Sequence, residues 1–302
     1  MMQLLVKDLN KSFNDTHVLK DINLNVHSGQ IYGYLGRNGA GKTTSMRILM
    51  DVFDGDSGSI TLDGKKFNPN DHLIGYLPEE RGMYAKVKVK EQLLYFAQLR
   101  GSSREDAEKS AERWSKEFEI DQYLDQKLET LSKGNQQKVQ ITQAFIGEPD
   151  ILILDEPFSG LDPVNSQIFQ NALTDYIRED RIIIFSSHQM SYVESICDDI
   201  AIIKKGQIVL EGNLKNIKEE MGANRLRVRF SETDMEETSF LDGYDYTLER
   251  KDIILKLHDN QSKNAFIQEL LDRNVEILLF MDYFPSLEEI FIEKAGNQNE
   301  AI

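Results

Sequence analysis

The chain has 302 residues, 40% of them hydrophobic and 28% charged, the composition of a soluble globular protein with room for a full core domain and a small second one. Acidic residues outnumber basic ones by 51 to 35, and the resulting net charge of −16 argues against general binding to a phosphate backbone while it serves solubility. The single cysteine, Cys197, rules out an intrachain disulfide and fits a reducing compartment; its helical surroundings read as those of a buried, inert thiol.

Met1 to Lys7 carry neither a basic segment nor a long apolar run, so no signal peptide is expected. Short apolar or alternating runs follow at Leu4 to Leu9, Ile22 to Val26, Ile31 to Leu35, Ser59 to Leu62 and Leu73 to Leu77. Gly, Asn and Asp clusters separate them, which is strand punctuation. The longest apolar stretches have strand length, whereas a membrane span needs about 20 apolar residues. Work at a membrane would therefore need a partner.

Directly after Ile31 to Leu35 comes Gly36-Arg37-Asn38-Gly39-Ala40-Gly41-Lys42-Thr43-Thr44, which satisfies Gly-x-x-x-x-Gly-Lys-Thr and opens a helix carrying Met46, Ile48, Leu49 and Met50. Glycines let backbone N–H groups converge on phosphate oxygens, and the helix N-terminus adds partial positive charge. Lys42 suits the β- and γ-phosphates, and the Thr43 hydroxyl suits Mg²⁺. The loop alone says nucleotide phosphate and leaves the reaction open.

From about Lys90 to Phe118 the spacing turns helical, through Leu93, Phe96, Ala97, Ala107, Ala111 and Trp114. Leu131-Ser132-Lys133-Gly134-Asn135-Gln136 then opens a helix running to Phe145. Ser132 is an ordinary N-cap or, with the Gly134 amide, a second anion site. Ile151 to Leu154 form a buried strand that ends in Asp155-Glu156, where a doubly wound sheet places ligand groups. Asp155 suits Mg²⁺ and Glu156 an attacking water, although acidic residues after a strand are also common turn formers. Helix and strand alternate to Leu210, as in βα units on a mostly parallel sheet. After a break near Met221 to Asn224 come strands at Arg225 to Phe230, Tyr244 to Leu248 and Ile253 to Leu257, with an acidic loop at Glu232, Asp234, Glu236 and Glu237. A helix at Lys263 to Leu271, a strand at Val275 to Met281 and a closing helix at Ser286 to Lys294 complete a separate α+β unit.

Taken in order, the phosphate loop, the Leu131 to Gln136 signature, Asp155-Glu156, Ser159-Gly160-Leu161-Asp162 and Ser187-His188 resemble the ATP-binding cassette (ABC) family, specifically the ATPase subunits of bacterial exporters. The resemblance covers roughly residues 2 to 220. It implies an α/β P-loop NTPase cassette at 1–220, a RecA-like core with a helical subdomain at about 88–147, followed by a C-terminal α+β accessory domain at 224–302. It also implies Mg²⁺-dependent ATP hydrolysis coupled to transport, with Glu156 as catalytic base and His188 as switch histidine. ATP would lie on Gly36 to Thr44, with Phe13 stacking on adenine. Ser132, Gly134 and Asn135 would take the γ-phosphate held by a second cassette, with Ser159 and Asp162 at the interface between the two. Thr43, Asp155 and Glu79 would hold Mg²⁺. The implied partners are a membrane-spanning permease and a second ATPase cassette, with no nucleic acid, on the inner face of the cell membrane.

Two positions depart from the family pattern. Lys133-Gly134-Asn135 stands where Gly-Gly-Gln is usual, and Glu79 stands where Gln is usual, adding charge beside the γ-phosphate. Glu79 to Gly82 and Pro285 to Phe291 resemble an exporter subgroup, linked to sodium or drug efflux, that carries such a C-terminal domain. DNA-repair relatives would need long coiled coils, but only some ninety residues without sustained heptads separate loop and signature. Ribosome-acting relatives usually have two cassettes and a basic linker.

Overall fold

The computed structural model describes residues 2–80, 82–231, 238–259 and 261–296. The acidic residues Glu232, Asp234, Glu236 and Glu237 lie outside them, as does Arg81. The fold divides into two compact units, Met1–Leu214 with Phe291–Ile302, and Lys215–Ile290.

The first unit begins with a long hairpin, β1 (Gln3–Phe13) and β2 (Thr16–His27), whose alternating Leu4, Val6, Leu9, Leu19, Ile22, Leu24 and Val26 face the core. Both strands run past the apolar runs that announced them, because polar residues at their solvent ends still pair, as Ser12 does with His17. The fully buried β3 (Ile31–Gly36) leads into α1 (Lys42–Leu49). β4 (Ser57–Leu62) and β5 (Lys65–Lys66) join the hairpin in an antiparallel sheet of order β2-β1-β4-β5.

β6 (Ile74–Leu77) returns to the central sheet. The helical pattern expected to run from Lys90 to Phe118 resolves into two helices, α2 (Val89–Leu99) and α3 (Arg104–Glu117). Gly101, at φ 92°, ends the first, and the Ser103 hydroxyl caps the second by accepting from Asp106 N–H. Burial pushes the Arg100 guanidinium down to about 10. That side chain donates to the Gln143 and Ile146 carbonyls at 2.8 and 3.3 Å, pinning the end of α2 to α4 (Lys133–Phe145).

β7 (Ile151–Asp155), α5 (Pro163–Tyr176), β8 (Ile182–Ser187), α6 (Met190–Ile196), β9 (Asp199–Lys204) and β10 (Gln207–Asn213) complete the six-stranded sheet of order β10-β9-β3-β8-β7-β6. All its neighbours are parallel except β10 with β9. Cys197 caps the end of α6 and is only partly buried, with its thiol against Gly33.

A chain of aromatic rings crosses this unit. Trp114 on α3 lies 4.6 Å from Phe145 between centroids, Phe145 lies 6.3 Å from Phe169, and Phe169 lies 5.0 Å from Phe158. Phe158 in turn stacks on Tyr192 at 4.1 Å.

α7 (Leu214–Met221) spans the division between units. The second unit holds β11 (Arg225–Phe230), β12 (Asp245–Glu249), β13 (Asp252–Lys256), α8 (Lys263–Asp272) and β14 (Ile277–Asp282), its sheet antiparallel with order β12-β13-β11-β14. Leu226, Val228, Phe230, Ile253 and Leu255 pack with Phe266 and Leu270 of α8. A closing helix, α9 (Leu287–Ala295), begins with a reciprocal cap. The Ser286 hydroxyl accepts from Glu289 N–H at 3.2 Å, and the Glu289 carboxylate accepts from Ser286 N–H at 2.6 Å. The Tyr283 hydroxyl also donates to that carboxylate.

Candidate active site

β3 delivers the phosphate loop at the carboxyl edge of the central sheet, and two of its glycines cannot carry a side chain. Gly41 sits at φ 117°, and a Cβ there would stand 2.6 Å from Leu19 Cδ2. A Cβ on Gly36 would stand 2.6 Å from Ile203 Cγ2. Lys42 is 5% exposed; its Nζ donates to the Gly36 carbonyl at 2.7 Å and lies 3.6 Å from Glu156 Oε1. An ammonium so enclosed must find acceptors; the Gly36 and Arg37 carbonyls supply them, while Glu156 faces it as an ion pair whose Oε1 has no hydrogen-bond partner among the described residues.

β7, paired to β8, ends in the two carboxylates. Asp155 is 1% exposed; one oxygen accepts from the Ser186 hydroxyl, while Oδ2 is buried with no hydrogen-bond partner among the described residues. Glu156 adopts φ 52°, a left-handed conformation that costs a non-glycine residue about 1 kcal/mol or more. Its amide donates to Ser186 Oγ at 3.1 Å, and His188 Nδ1 lies 2.8 Å from Oε2. One buried serine thus holds both acidic residues, and the histidine at the end of the next strand holds the second.

Lys42, Asp155 and Glu156 line one cavity of about 330 Å³ with Val18, Arg37, Asn38, Gly39, Gly41, Thr43, Thr44 and Glu79, while Ser186 and His188 lie behind the lining and hold the two carboxylates. Thr43 Oγ1 lies 3.5 Å from Glu79 Oε2. The orphaned Asp155 oxygen fits a cation, since a buried carboxylate oxygen without a donor is costly. Among the described residues no group of three or more His, Cys, Asp or Glu could hold a metal unaided. Two carboxylates and a hydroxyl match the Mg²⁺ habit of completing its shell with water and substrate phosphate.

Other sequence-selected residues stand apart from this lining. Gly36 and Ala40 turn toward the core, where the Ala40 carbonyl accepts from Gly206 N–H at 3.0 Å. Phe13 ends β1, 43% exposed. Ser132 caps α4 by accepting from Asn135 N–H at 3.3 Å, and Ser132, Gly134 and Asn135 line no part of the cavity. Asp162 caps α5 by accepting from Asn165 N–H at 2.8 Å, and that bond holds its carboxyl below the usual range. Ser159, between the two caps, is exposed.

Ser186 and Val18 belong to none of the sequence motifs of the site. A pair of serines ending the apolar run Ile182 to Phe185 was the available signal for Ser186, because a hydroxyl in a buried strand needs a partner. Val18 carried no such signal, since a valine in a strand is unremarked.

A phosphate loop between a central strand and its helix, with carboxylates at the end of the next strand but one, defines a P-loop nucleoside-triphosphatase fold. Comparison with known proteins narrows this. The ABC transporter family profile matches residues 19–159, and the profile for the C-terminal domain of DrrA1-3-like ATP-binding proteins matches residues 212–295. The ABC transporter ATP-binding protein YhaQ of Bacillus subtilis is 39% identical over 297 residues, spanning 97% of this chain and 98% of the relative. The bacitracin transport ATP-binding protein BcrA of Bacillus licheniformis is 30% identical over 309 residues, with 98% of each covered. The solved structure of an ATP-binding subunit of an ABC transporter superposes with a TM-score of 0.67 at 29% identity, over 73% of this chain and 93% of that one. The chain belongs to the ABC transporter family, among its ATP-binding subunits.

Proposed function

We propose that this chain hydrolyses Mg²⁺-ATP as one of two cassettes that together drive a separate membrane-spanning exporter subunit from the inner face of the cell membrane. The supporting observation is the convergence in one cavity of the phosphate loop, Lys42, an orphaned buried Asp155 oxygen and a Glu156 oriented by His188. The loop amides and Lys42 take the β- and γ-phosphates. Glu156 accepts the proton of the attacking water, and His188 at 2.8 Å keeps the carboxylate aimed. Mg²⁺, when bound, offsets charge on the phosphate oxygens. Thr43, Asp155 and Glu79 would hold it, and Phe13 would stack on adenine.

Ser132, Gly134 and Asn135 open a 13-residue helix away from their own chain's cavity, which suits a phosphate presented by a second copy. Two copies would then complete each other's sites, with Ser159 and Asp162 facing the seam. Among the described residues no helix is long and apolar enough to cross a membrane. A groove of about 270 Å³ lined by Tyr76, Pro78, Met83, Phe96 and Leu99, with exposed Tyr84 nearby, suits an apolar cytoplasmic helix of the membrane-spanning subunit. The export direction is the one the sequence resemblance implies, and the bacitracin transport relative and the matching C-terminal profile support a role in transport.

Glu156→Gln tests the chemistry. Turnover should fall by about 10²-fold or more, the ordinary worth of a general base, while ATP still binds. The same variant should form ATP-dependent dimers that Ser132→Arg abolishes. Turnover within a few-fold of the parent would remove Glu156 from its role, and ATP-loaded monomers of both variants in light scattering would overturn the shared site.

A further inference from the structure

Phe13 is a large ring left 43% exposed at the tip of a hairpin, yet it is not free to swing. The Phe53 ring meets it at 5.4 Å between centroids and 83° between planes, an edge-to-face contact. Lys11 Nζ sits 5.4 Å from the Phe13 centroid and 5.6 Å from that of Phe53. The same ammonium donates to the Asp54 carbonyl at 2.6 Å and to Asp56 Oδ1 at 3.0 Å, and Ser12 N–H donates to Asp56 Oδ2 at 2.6 Å. Asp56 N–H closes the set by donating to the Asn10 carbonyl at 2.8 Å. Lys11 and the Ser12 amide hold the Asp56 carboxyl below its ordinary range.

These contacts bind two segments with different duties. Asn10 to Phe13 end the strand that carries the exposed ring. Phe53 to Asp56 follow α1, whose N-terminus is the phosphate loop. One eight-residue helix therefore connects the phosphate end of the site to the side chains that grip the ring. We propose that Phe53, together with Lys11 and Asp56, is a clasp that fixes the plane of Phe13 against the base of the bound nucleoside triphosphate. Phe53 is thus a positioning residue that acts through Phe13, and its contribution is confined to the part of the ligand that carries a ring. The inference rests on reading the cavity as an ATP site.

The test compares ATP with inorganic tripolyphosphate, which keeps the charges and lacks the base, by calorimetric titration of the full chain with Mg²⁺. Phe53→Leu should weaken ATP by about tenfold and leave tripolyphosphate unchanged, because base stacking has about that worth. The loss should appear in KM for ATP rather than in kcat, and Phe53→Tyr should restore parental affinity. Phe13→Ala combined with Phe53→Leu should bind ATP no more weakly than Phe13→Ala alone, the signature of a residue that acts through another. Parental ATP affinity in Phe53→Leu, equal losses for both ligands, or additive losses in the double variant would each overturn the clasp. Failure of the parent protein to bind either ligand would instead overturn the reading of the cavity itself.

Discussion

Ser186→Ala removes one oxygen atom from the inside of the first unit and should disturb both carboxylates at once. The hydroxyl is fully buried, donates to Asp155 and accepts from the Glu156 amide at 3.1 Å. Alanine leaves a buried Asp155 oxygen and the Glu156 main-chain N–H without those partners at the end of the strand. A hydrogen bond to a charged group contributes about 1.5–3 kcal/mol, and stranding a buried N–H costs about 1–3 kcal/mol. The two losses share one site and do not add fully, so about 3 kcal/mol is expected, or roughly 6–12 °C in melting temperature for a unit of this size. Glu156 is also released from a restraint on its left-handed backbone, and displacement of a reacting group by about 1 Å can cost about 10²-fold in rate. Urea unfolding followed by tryptophan fluorescence isolates the effect, because Trp114, the chain's one tryptophan, is buried in the first unit. A variant within about 0.5 kcal/mol of the parent, with parental ATPase activity, would show that Ser186 neither supports the strand end nor aims Glu156.

Gly41→Ala should abolish tripolyphosphate and ATP binding and lower stability by at least about 1 kcal/mol, since φ 117° and a 2.6 Å approach to Leu19 admit no methyl group; calorimetry and thermal melts check both. Glu289→Ala should loosen the start of α9 by about 1 kcal/mol at neutral pH, read by amide hydrogen exchange over that helix. Burial pushes the Glu289 carboxyl up, but its bonds from the Ser286 hydroxyl, Tyr283 and the Ser286 amide outweigh that and hold it below the ordinary range. The stabilisation is therefore present above the unfolded carboxyl's pKa of about 4.3 and disappears as pH falls through the lower folded value, so parent and variant should converge in acid. Tyr84→Ala with Leu99→Ser, both at exposed positions, should release the chain from membranes containing its partner while leaving basal ATPase activity near parental; unchanged co-sedimentation would place the docking surface elsewhere.

The phosphate loop, the carboxylate pair and His188 are legible in the sequence because each is a short string at the end of an apolar strand, and chemistry and position are read together. Ser186 is not, because its meaning comes from a neighbouring strand some thirty residues away in sequence. The helical spacing across Lys90 to Phe118 becomes two helices because Arg100 to Asp106 carry no apolar side chain, Gly101 ends the first helix and Ser103 caps the second. The solvent ends of β1 and β2 escape a hydrophobic pattern for the opposite reason: they are held by pairing across the hairpin rather than by burial. Ser286 and Glu289 carry a capping-box spacing in plain view, and the structure gives that segment its physical reason.

The line of rings from Trp114 to Phe158 has a mechanical consequence. Close-packed aromatic side chains compress little, so the line behaves as a strut with one foot among the helices and the other two residues beyond Glu156. A displacement of α3 at Trp114 would be passed toward the carboxylate strand through these rings. Close packing would pass a displacement along the line in either direction. Truncating a middle ring, as in Phe169→Leu, puts a compliant joint in the lever and is the substitution that would let the two ends move independently.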